Sequence, residues 1–225
     1  MSIKKHAIES VLVLSGSPII AQGNHQYVYE HPLDPTSLIK FRKLEDYDAS
    51  TANLIGRKKW HERFIYRRST AVQDFLREFR EYVELKSKHQ HAGAILPLCA
   101  VRGIVQTDMG LGLVYERISE PDGTLSPNLK KLIEEGQLQR RHLDAFETFI
   151  DSLLQHNIVG SMMTLDNLVY QTDVDGLSRI VWIDSFGSKR YLPLRRWFRF
   201  LNNRKIEQVR KKRREQMSKA VVIPT

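Results

Sequence analysis

The stretch from His156 to Gly187 constrains the fold of this chain more than any other. It reads HNIVGSMMTLDNLVYQTDVDGLSRIVWIDSFG: the apolar end of a helix, a polar loop, and two apolar segments around the polar turn QTDVDGLSR. This pattern predicts a β-hairpin, with Asn167 just before its first strand and Asp184 at the end of its second. Because the two strands of a hairpin are antiparallel, both residues should lie at the same edge.

Asn167 and Asp184 therefore form the strongest candidate for a metal site. Mg²⁺ prefers hard oxygen ligands that are held rigidly, such as the amide and carboxylate oxygens of these residues. Gly187 would allow a sharp turn after the second strand. The same residue types also suit a capping Asn and a turn-forming Asp. On the residues alone, both interpretations stand.

The rest of the chain predicts an α+β fold in which short strands precede most of the helices. Apolar residues at helical spacing between Thr70 and Leu85 give the clearest helix. The predicted elements, in chain order, are a strand at 11–14, a strand–turn–strand at 15–32, a strand at 37–43, a helix at 70–85, a hairpin at 100–118 with its turn at 107–110, a helix from Ser126 to Gly136, a helix from Leu143 to about His156, the hairpin, and a helix from Leu194 to Met217.

Three residues match parts that phosphoryl transfer requires. These parts are a loop that cradles the phosphates, a lysine that contacts them and a carboxylate that holds the lysine. Gly23, in AQGNHQYVY, would let backbone N–H groups approach a phosphate, or would serve a plain hairpin turn. Lys40, inside an apolar strand, would reach the phosphates, or would face solvent from an alternating strand. Glu78 would hold this lysine from the following helix, or would lie on a solvated helix face.

Composition indicates a globular protein of a reducing compartment. The chain has 225 residues, of which 41% are hydrophobic and 27% charged, and Cys99 is its only cysteine. A single cysteine cannot form a disulfide within the chain. The apolar run VLVL at Val11–Leu14 is too short for a signal-peptide core or a membrane span. We expect a cytoplasmic location, with the surface of the inner membrane as an alternative.

With these residues placed, the chain resembles the YrbL family, the PhoP regulatory network proteins of Gram-negative bacteria. The resemblance covers roughly residues 17–214. The segments that carry it are GNHQYVYEHP, LIKFR, LREFREY, VQTDMGLGLVYERI, HNIV with DNLVY, and IDSFG followed by LPLRRWFRF.

The resemblance implies a minimal protein-kinase-like fold that binds ATP and Mg²⁺. It implies a small antiparallel β N-lobe with one helix at 1–118, and a reduced, mostly helical C-lobe at 119–225 that ends in a basic helix at 193–217. The two lobes would form one structural unit. The resemblance implies that Lys40 is the nucleotide-binding lysine and that Glu78 is its partner on the helix. It also implies that Tyr115 and Glu116 form the hinge and that Asn167 and Asp184 are the metal ligands.

The chain departs from the kinase pattern H-R-D-x-x-x-x-N, whose Asp is the catalytic base. Counting back from Asn167 places Met162 at the base position and Gly160 at the His position. Methionine cannot accept a proton, so no catalytic residue is assigned. We therefore expect a pseudokinase or a very weak phosphotransferase. The alternative is an active atypical kinase acting on a protein, a small molecule or an envelope sugar.

The basic charge is concentrated at the C-terminal end. Residues 189–225 contain 13 Lys or Arg and 2 Asp or Glu, a balance of +11, whereas the other 188 residues have a balance of −2. The basic helix at 195–214 would be a terminal helix that packs on the body through Leu194, Trp197, Phe198 and Leu201 and is solvated at its end, or it would meet an anionic membrane surface or an acidic partner first. Nucleic acid is a weaker candidate because one basic helix contains no base-reading motif. A further alternative is an interaction protein that binds no nucleotide and acts through this helix.

Overall fold

The computed structural model describes residues 11–23, 26–42, 70–89, 95–160, 163–184, 186 and 194–221. These residues belong to two compact units. The first lies within Met1–Leu76 and Ala100–Arg117, and the second within Arg77–Cys99 and Ile118–Thr225. Both strands and helices are present, so the predicted α+β class is confirmed. The predicted lobes at 1–118 and 119–225 stay a prediction.

The first unit contains a five-stranded antiparallel sheet with the strand order β1-β2-β3-β5-β4. Its strands are β1 (Ala21–Gln22), β2 (Gln26–Glu30), β3 (Ser37–Arg42), β4 (Val101–Thr107) and β5 (Gly110–Glu116). Both predicted hairpins are present. The turn between β4 and β5 is held by Thr107, whose hydroxyl accepts from Met109 N at 3.1 Å and donates to Gly110 O at 2.8 Å.

Strict alternation along β3 gives the sheet one apolar core face. Ile39 and Phe41 are buried and pack with Tyr29, Leu12 and Leu14. Side chains of successive strand residues point to opposite faces, so Lys40 lies on the other face. Tyr29 and Phe41 meet edge to face, with ring centroids 5.8 Å apart.

The predicted strand at Val11–Leu14 is wrong. Only Leu12 forms a bridge, in parallel with Thr107, and its N–H donates to Gln106 O at 3.1 Å. The next backbone N–H groups turn to a side chain instead: Asp108 accepts from Leu14 N at 2.8 Å and from Ser15 N at 3.1 Å. These hydrogen bonds hold the pKa of Asp108 below its ordinary value.

The second unit consists of helices around a two-stranded antiparallel sheet. The helices are α1 (Thr70–His89, which belongs to this unit from Arg77 onward and whose side chains are described from Leu76 onward), α2 (Leu129–Glu134), α3 (Arg140–Gln155), α4 (Leu194–Trp197) and α5 (Arg199–Ala220). The predicted hairpin is confirmed as β6 (Leu168–Thr172) paired with β7 (Ser178–Trp182). Among the described residues, no helix is long and apolar enough to cross a bilayer.

A row of aromatic side chains joins α3 to the end of the hairpin. Phe146 and Phe149 lie 6.3 Å apart, Phe149 and Trp182 6.5 Å apart, and Trp182 and Phe186 6.5 Å apart, all measured between ring centroids. All four side chains are buried. Burial of aromatic rings contributes large apolar areas, so this row fixes β7 against α3.

Two predicted helix boundaries differ from the structure. α2 begins at Leu129 rather than Ser126, because Asn128 is the N-cap and its Oδ1 accepts from Lys131 N at 2.8 Å. Its predicted end at Gly136 agrees with a φ of 65° there, which favours glycine. The last helix is not continuous: it breaks at Phe198, which has extended backbone, and continues to Ala220.

Candidate functional site

The hairpin brings Asn167 and Asp184 to one end. Asn167 closes a single 3-10 turn (Leu165–Asn167) directly before β6, and Asp184 lies two residues after the end of β7. Ile183 N donates to Asn167 O at 3.0 Å, so the two chain segments are adjacent. Both candidate ligands are half-buried. The backbone thus presents an amide and a carboxylate at the same edge.

The register of the hairpin is specified at its far end. Asp173 accepts from the N–H groups of Asp175 at 3.0 Å and Leu177 at 2.8 Å. Gly176 has a φ of 78°, which favours glycine. A shift by one residue would turn every side chain to the opposite face. The turn therefore determines that Asn167 and Asp184 meet at the other end.

The near end of the hairpin is held by a neighbouring extended segment. Trp182 N donates to Pro97 O at 3.0 Å, and Trp182 O accepts from Cys99 N at 2.9 Å. Leu168 and Trp182 are paired residues and both are buried. Asp184 therefore extends from a strand with few degrees of freedom.

The loop before Asn167 contains the departures from the kinase pattern. Met162, at the expected base position, lies outside the described residues. Gly160, at the expected His position, pairs with Phe186 in an antiparallel bridge. A Cβ atom on Gly160 would lie 1.7 Å from Cη2 of Trp182, so no larger residue fits there. The Trp182 ring occupies the space that a side chain at residue 160 would need.

The C-terminal helices hold both sides of this loop. Arg195 donates to Gly160 O at 3.0 Å, and Arg213 Nε donates to Met163 O at 3.1 Å. The buried Asn202 donates to Ile158 O at 3.1 Å and to Asn157 Oδ1 at 3.0 Å. Asn157 has a positive φ of 50°, which is uncommon for a residue other than glycine.

The sequence missed these anchoring residues and pointed instead to Trp197 and Phe198 as packing residues, whereas both are exposed. A signal was present in the spacing of five residues along α5. They recur at helical intervals and all point inward or lie partly buried: Asn202, Ile206, Arg210, Arg213 and Met217.

Lys40 lies in the sheet of the first unit and is half-buried. Its Nζ is 4.1 Å from the centroid of the Tyr115 ring, a cation–π distance. Its cross-strand neighbour Leu113 is buried, as is Tyr115. The ammonium group is therefore placed on an aromatic face rather than projecting into bulk solvent.

Glu78 lies in α1, where its side chain is only 4% exposed, and Glu81 is buried as well. A carboxylate is seldom buried without a partner, since removing it from water is costly. The expectation of a solvated helix face is therefore wrong for Glu78. Its pairing with Lys40 stays a prediction.

The remaining predicted residues occupy turns and strand ends. Gly23 N donates to Gln26 O at 2.9 Å within the β1–β2 hairpin turn. Glu116 ends β5, and its side chain accepts from Ala100 N at 3.3 Å. The N–H of Glu116 donates to Ala100 O and that of Arg117 to Thr36 O. Both of these N–H groups therefore donate to carbonyl oxygens of the protein itself. The nucleotide roles of Gly23, Tyr115 and Glu116 stay predictions.

The fold and this hairpin define a mixed α+β protein with an antiparallel five-stranded sheet and a helical second unit. No group of three or more His, Cys, Asp or Glu side chains within the described residues could hold a metal ion. The chain matches the family model described as PhoP regulatory network protein YrbL over residues 12–218. The chain belongs to this family, as its motifs indicated. Comparison with the curated proteins found no match.

Proposed function

We propose that this YrbL-family protein is a kinase-like nucleotide-binding regulator of the PhoP network. It binds ATP with Mg²⁺ and transfers phosphate very slowly or not at all. The observation that carries the proposal is the hairpin, which presents Asn167 and Asp184 at one edge through the Ile183 N to Asn167 O hydrogen bond. An amide and a carboxylate on rigid backbone supply two of the hard oxygen ligands that Mg²⁺ requires and leave other positions to water and phosphate.

Two features of the remaining residues support nucleotide binding. Lys40 is a half-buried cation on a strand, where it would contribute charge to the phosphates. Glu78 is a buried carboxylate on α1, the residue type that holds such a lysine in protein kinases.

The proposed weakness of transfer follows from the loop before Asn167. Met162 has no proton-accepting group, and Gly160 cannot be replaced by His because of Trp182. General acid–base catalysis contributes typically 10²–10⁴-fold to a rate. Phosphoryl transfer depends mainly on positioning and on charge, so slow turnover is compatible with a missing base.

The first test is thermal unfolding of the protein with Mg·ATP. A ligand present at 100 times its Kd stabilises the folded state by about 2.7 kcal/mol, so Tm should rise by several degrees. The shift should disappear in Asp184→Ala and in Lys40→Met, and should shrink when EDTA removes Mg²⁺. An unchanged Tm of wild type at millimolar Mg·ATP would refute the proposal.

Matched variants separate loss of the site from loss of the fold. Asp166→Ala removes an exposed carboxylate beside Asn167, and Lys130→Met removes an exposed lysine from α2. Both should retain the ATP-dependent shift. Disappearance of the shift in either control would show that the effect is not specific to the proposed residues.

Phosphate release or transfer measured on the same variants distinguishes the active kinase from the pseudokinase. Turnover that is lost in Asp184→Ala but retained in Asp166→Ala would establish an active atypical enzyme. Nucleotide binding without transfer to the protein itself, to lysate proteins or to candidate sugars and metabolites would favour the regulator.

A further inference from the structure

Three large aromatic side chains are exposed at the junction between α4 and α5. Trp197 is 63% exposed, Phe198 48% and Phe200 66%, and the rings of Phe198 and Phe200 lie 6.2 Å apart. Among the side chains that the structure describes, no other Trp or Phe is exposed. Three exposed aromatic side chains within four consecutive residues are typical of a binding surface rather than of ordinary protein surface.

Four basic side chains continue from this cluster along the outer side of α5. They are exposed and, within the described part of the chain, form no salt bridge: Arg204, Lys205, Lys211 and Lys212. A rotation of about 100° per residue places Phe200, Arg204 and Lys211 within about 40° of one another on the helix surface. The buried Ile206 and Met217 lie on the opposite side.

The acidic residues of α5 cancel only part of this charge. Glu207 pairs with Arg210 at 3.0 Å, and Glu215 pairs with Lys219 at 2.8 Å. The hydrogen bond from Lys219 keeps the pKa of Glu215 below its ordinary value, so the pair is neutral overall. Arg210 also contacts Glu147 and Asp151, so it does not neutralise Glu207 alone. The five exposed basic residues Arg204, Lys205, Lys211, Lys212 and Lys219 outnumber Glu207 and Glu215, so the outer side of α5 keeps an excess of three positive charges.

We propose that this surface, Trp197–Phe200 with the outer side of α5, docks on an anionic lipid bilayer. Trp and other aromatic rings favour the boundary between headgroups and acyl chains, and lysines beside them reach the lipid phosphates. The combination of aromatics with lysines selects a lipid surface over a nucleic acid, because the helix contains no base-reading motif. The helix lies along the surface, inserts only its aromatic end and binds reversibly.

The test measures partition of the full chain onto phosphatidylglycerol-containing vesicles by flotation. Each basic residue near an anionic surface contributes about fivefold to partition, so Lys211→Gln with Lys212→Gln should weaken binding by roughly 25-fold. The matched control, Lys130→Gln with Lys131→Gln in α2, also removes two exposed lysines and should leave binding unchanged. Pure phosphatidylcholine vesicles should bind weakly.

The aromatic contribution is tested with Trp197→Ser and Phe200→Ser, both on exposed positions where the fold should be unaffected. These variants should lose the binding that persists at high salt, and unchanged Tm values show that they remain folded. Absence of flotation at low salt would overturn the proposal. So would equal binding of the wild type and the double lysine variant, or retention of heparin with no vesicle binding, which would indicate a soluble polyanion instead.

Discussion

The inner and outer sides of α5 both carry basic side chains. Those on the inner side bind distant segments of the protein, whereas those on the outer side face solvent. On the inner side, Arg210 contacts Glu147 at 2.7 Å and also Asp151, while Arg213 donates to the carbonyl of Met163. On the outer side, Lys211 and Lys212 are exposed and form no salt bridge within the described residues. Basic residues therefore surround the helix, but only those on the inner side contact other segments of the protein.

The side-chain types follow this division. The inner contacts are made by arginine, whose planar guanidinium directs several N–H groups at once to carboxylates and carbonyls. The outer side is mainly lysine, whose strongly hydrated ammonium favours water. A net charge for the segment therefore combines residues that stabilise the protein with residues that are available to a partner.

The largest expected effect comes from the buried end of the inner side. Met217 is fully buried, so Met217→Ala should reduce the free energy of unfolding by roughly 2–5 kcal/mol. The neighbouring exposed Ser218→Ala serves as the control and should have no effect. Urea unfolding measures both. A loss of less than 1 kcal/mol for Met217→Ala would mean that the last turns of α5 do not contribute to the core. That result would contradict the assignment of Met217 to the packed inner side.

A buried basic group without an acidic partner should be uncharged, and His142 is such a case. Burial, with Arg141 adding repulsion, lowers its pKa from 6.5 to about 4. Its Nδ1 accepts from Gln139 N at 2.8 Å, and its ring lies edge-on to Tyr170. The unfolded chain therefore takes up a proton near pH 6.5, whereas the folded chain does so only near pH 4.

It follows that stability falls as the pH drops from 6.5 to 4, by up to about 3 kcal/mol in total from this group. Urea unfolding at several pH values checks this. His142→Asn keeps an acceptor near the Gln139 N–H but does not titrate, so it should remove this part of the pH dependence. An equally steep acid loss in His142→Asn would assign the effect to other groups.

A smaller loss is expected for the buried amide of the inner side. Asn202→Ala removes two hydrogen bonds and leaves the Ile158 carbonyl without this donor, which should cost about 1–3 kcal/mol. The exposed amide of Gln208 is the matched control. If Gln208→Ala were as destabilising as Asn202→Ala, the two sides of the helix would not differ in the way described.

The ion pairs of Arg210 should contribute less than the buried apolar and amide groups. Arg210→Met should reduce stability by about 1 kcal/mol, because the pairs are only partly buried. The effect should shrink at high salt. Lys211→Met, one residue away on the outer side, should leave the free energy of unfolding unchanged. A larger effect for Lys211→Met would reverse the assignment of the two sides.

The smallest effect is expected for the pair on the outer side. Glu215 and Lys219 are 62% and 74% exposed, although their charged atoms lie 2.8 Å apart. Both charges stay well hydrated, so Lys219→Ala should produce no measurable change in Tm. A clear decrease would show that this side also supports the fold.

Much of the fold was predictable from local patterns. Alternation and turn residues identified the β4–β5 and β6–β7 hairpins, and helical periodicity identified α1 and α3, because these elements are stabilised mainly by neighbours in the chain. The placement of Asn167 and Asp184 at one edge followed from the same hairpin. Their roles in binding Mg·ATP stay predictions.

Three features could not be read from the chain because they depend on contacts between distant segments. The strand expected at 11–14 is replaced by a single bridge, because the carboxylate of Asp108 accepts hydrogen bonds from the backbone N–H groups of Leu14 and Ser15. Glu78 is buried although it lies in the charged stretch FLREFREYVE. The last helix breaks at Phe198, where local periodicity favoured continuity.

Local sequence was sufficient for the order of the elements and for the hairpin that carries the candidate ligands, because both depend on residues a few positions apart. It could not separate the arginines that hold the loop at Gly160–Met163 from the lysines that face water, since both occur in one basic run. Only the folded structure divides the basic side chains into these two groups. Arg195 and Arg213 reach carbonyls 35 and 50 residues away, and those acceptors become neighbours only when α4 and α5 pack within their unit.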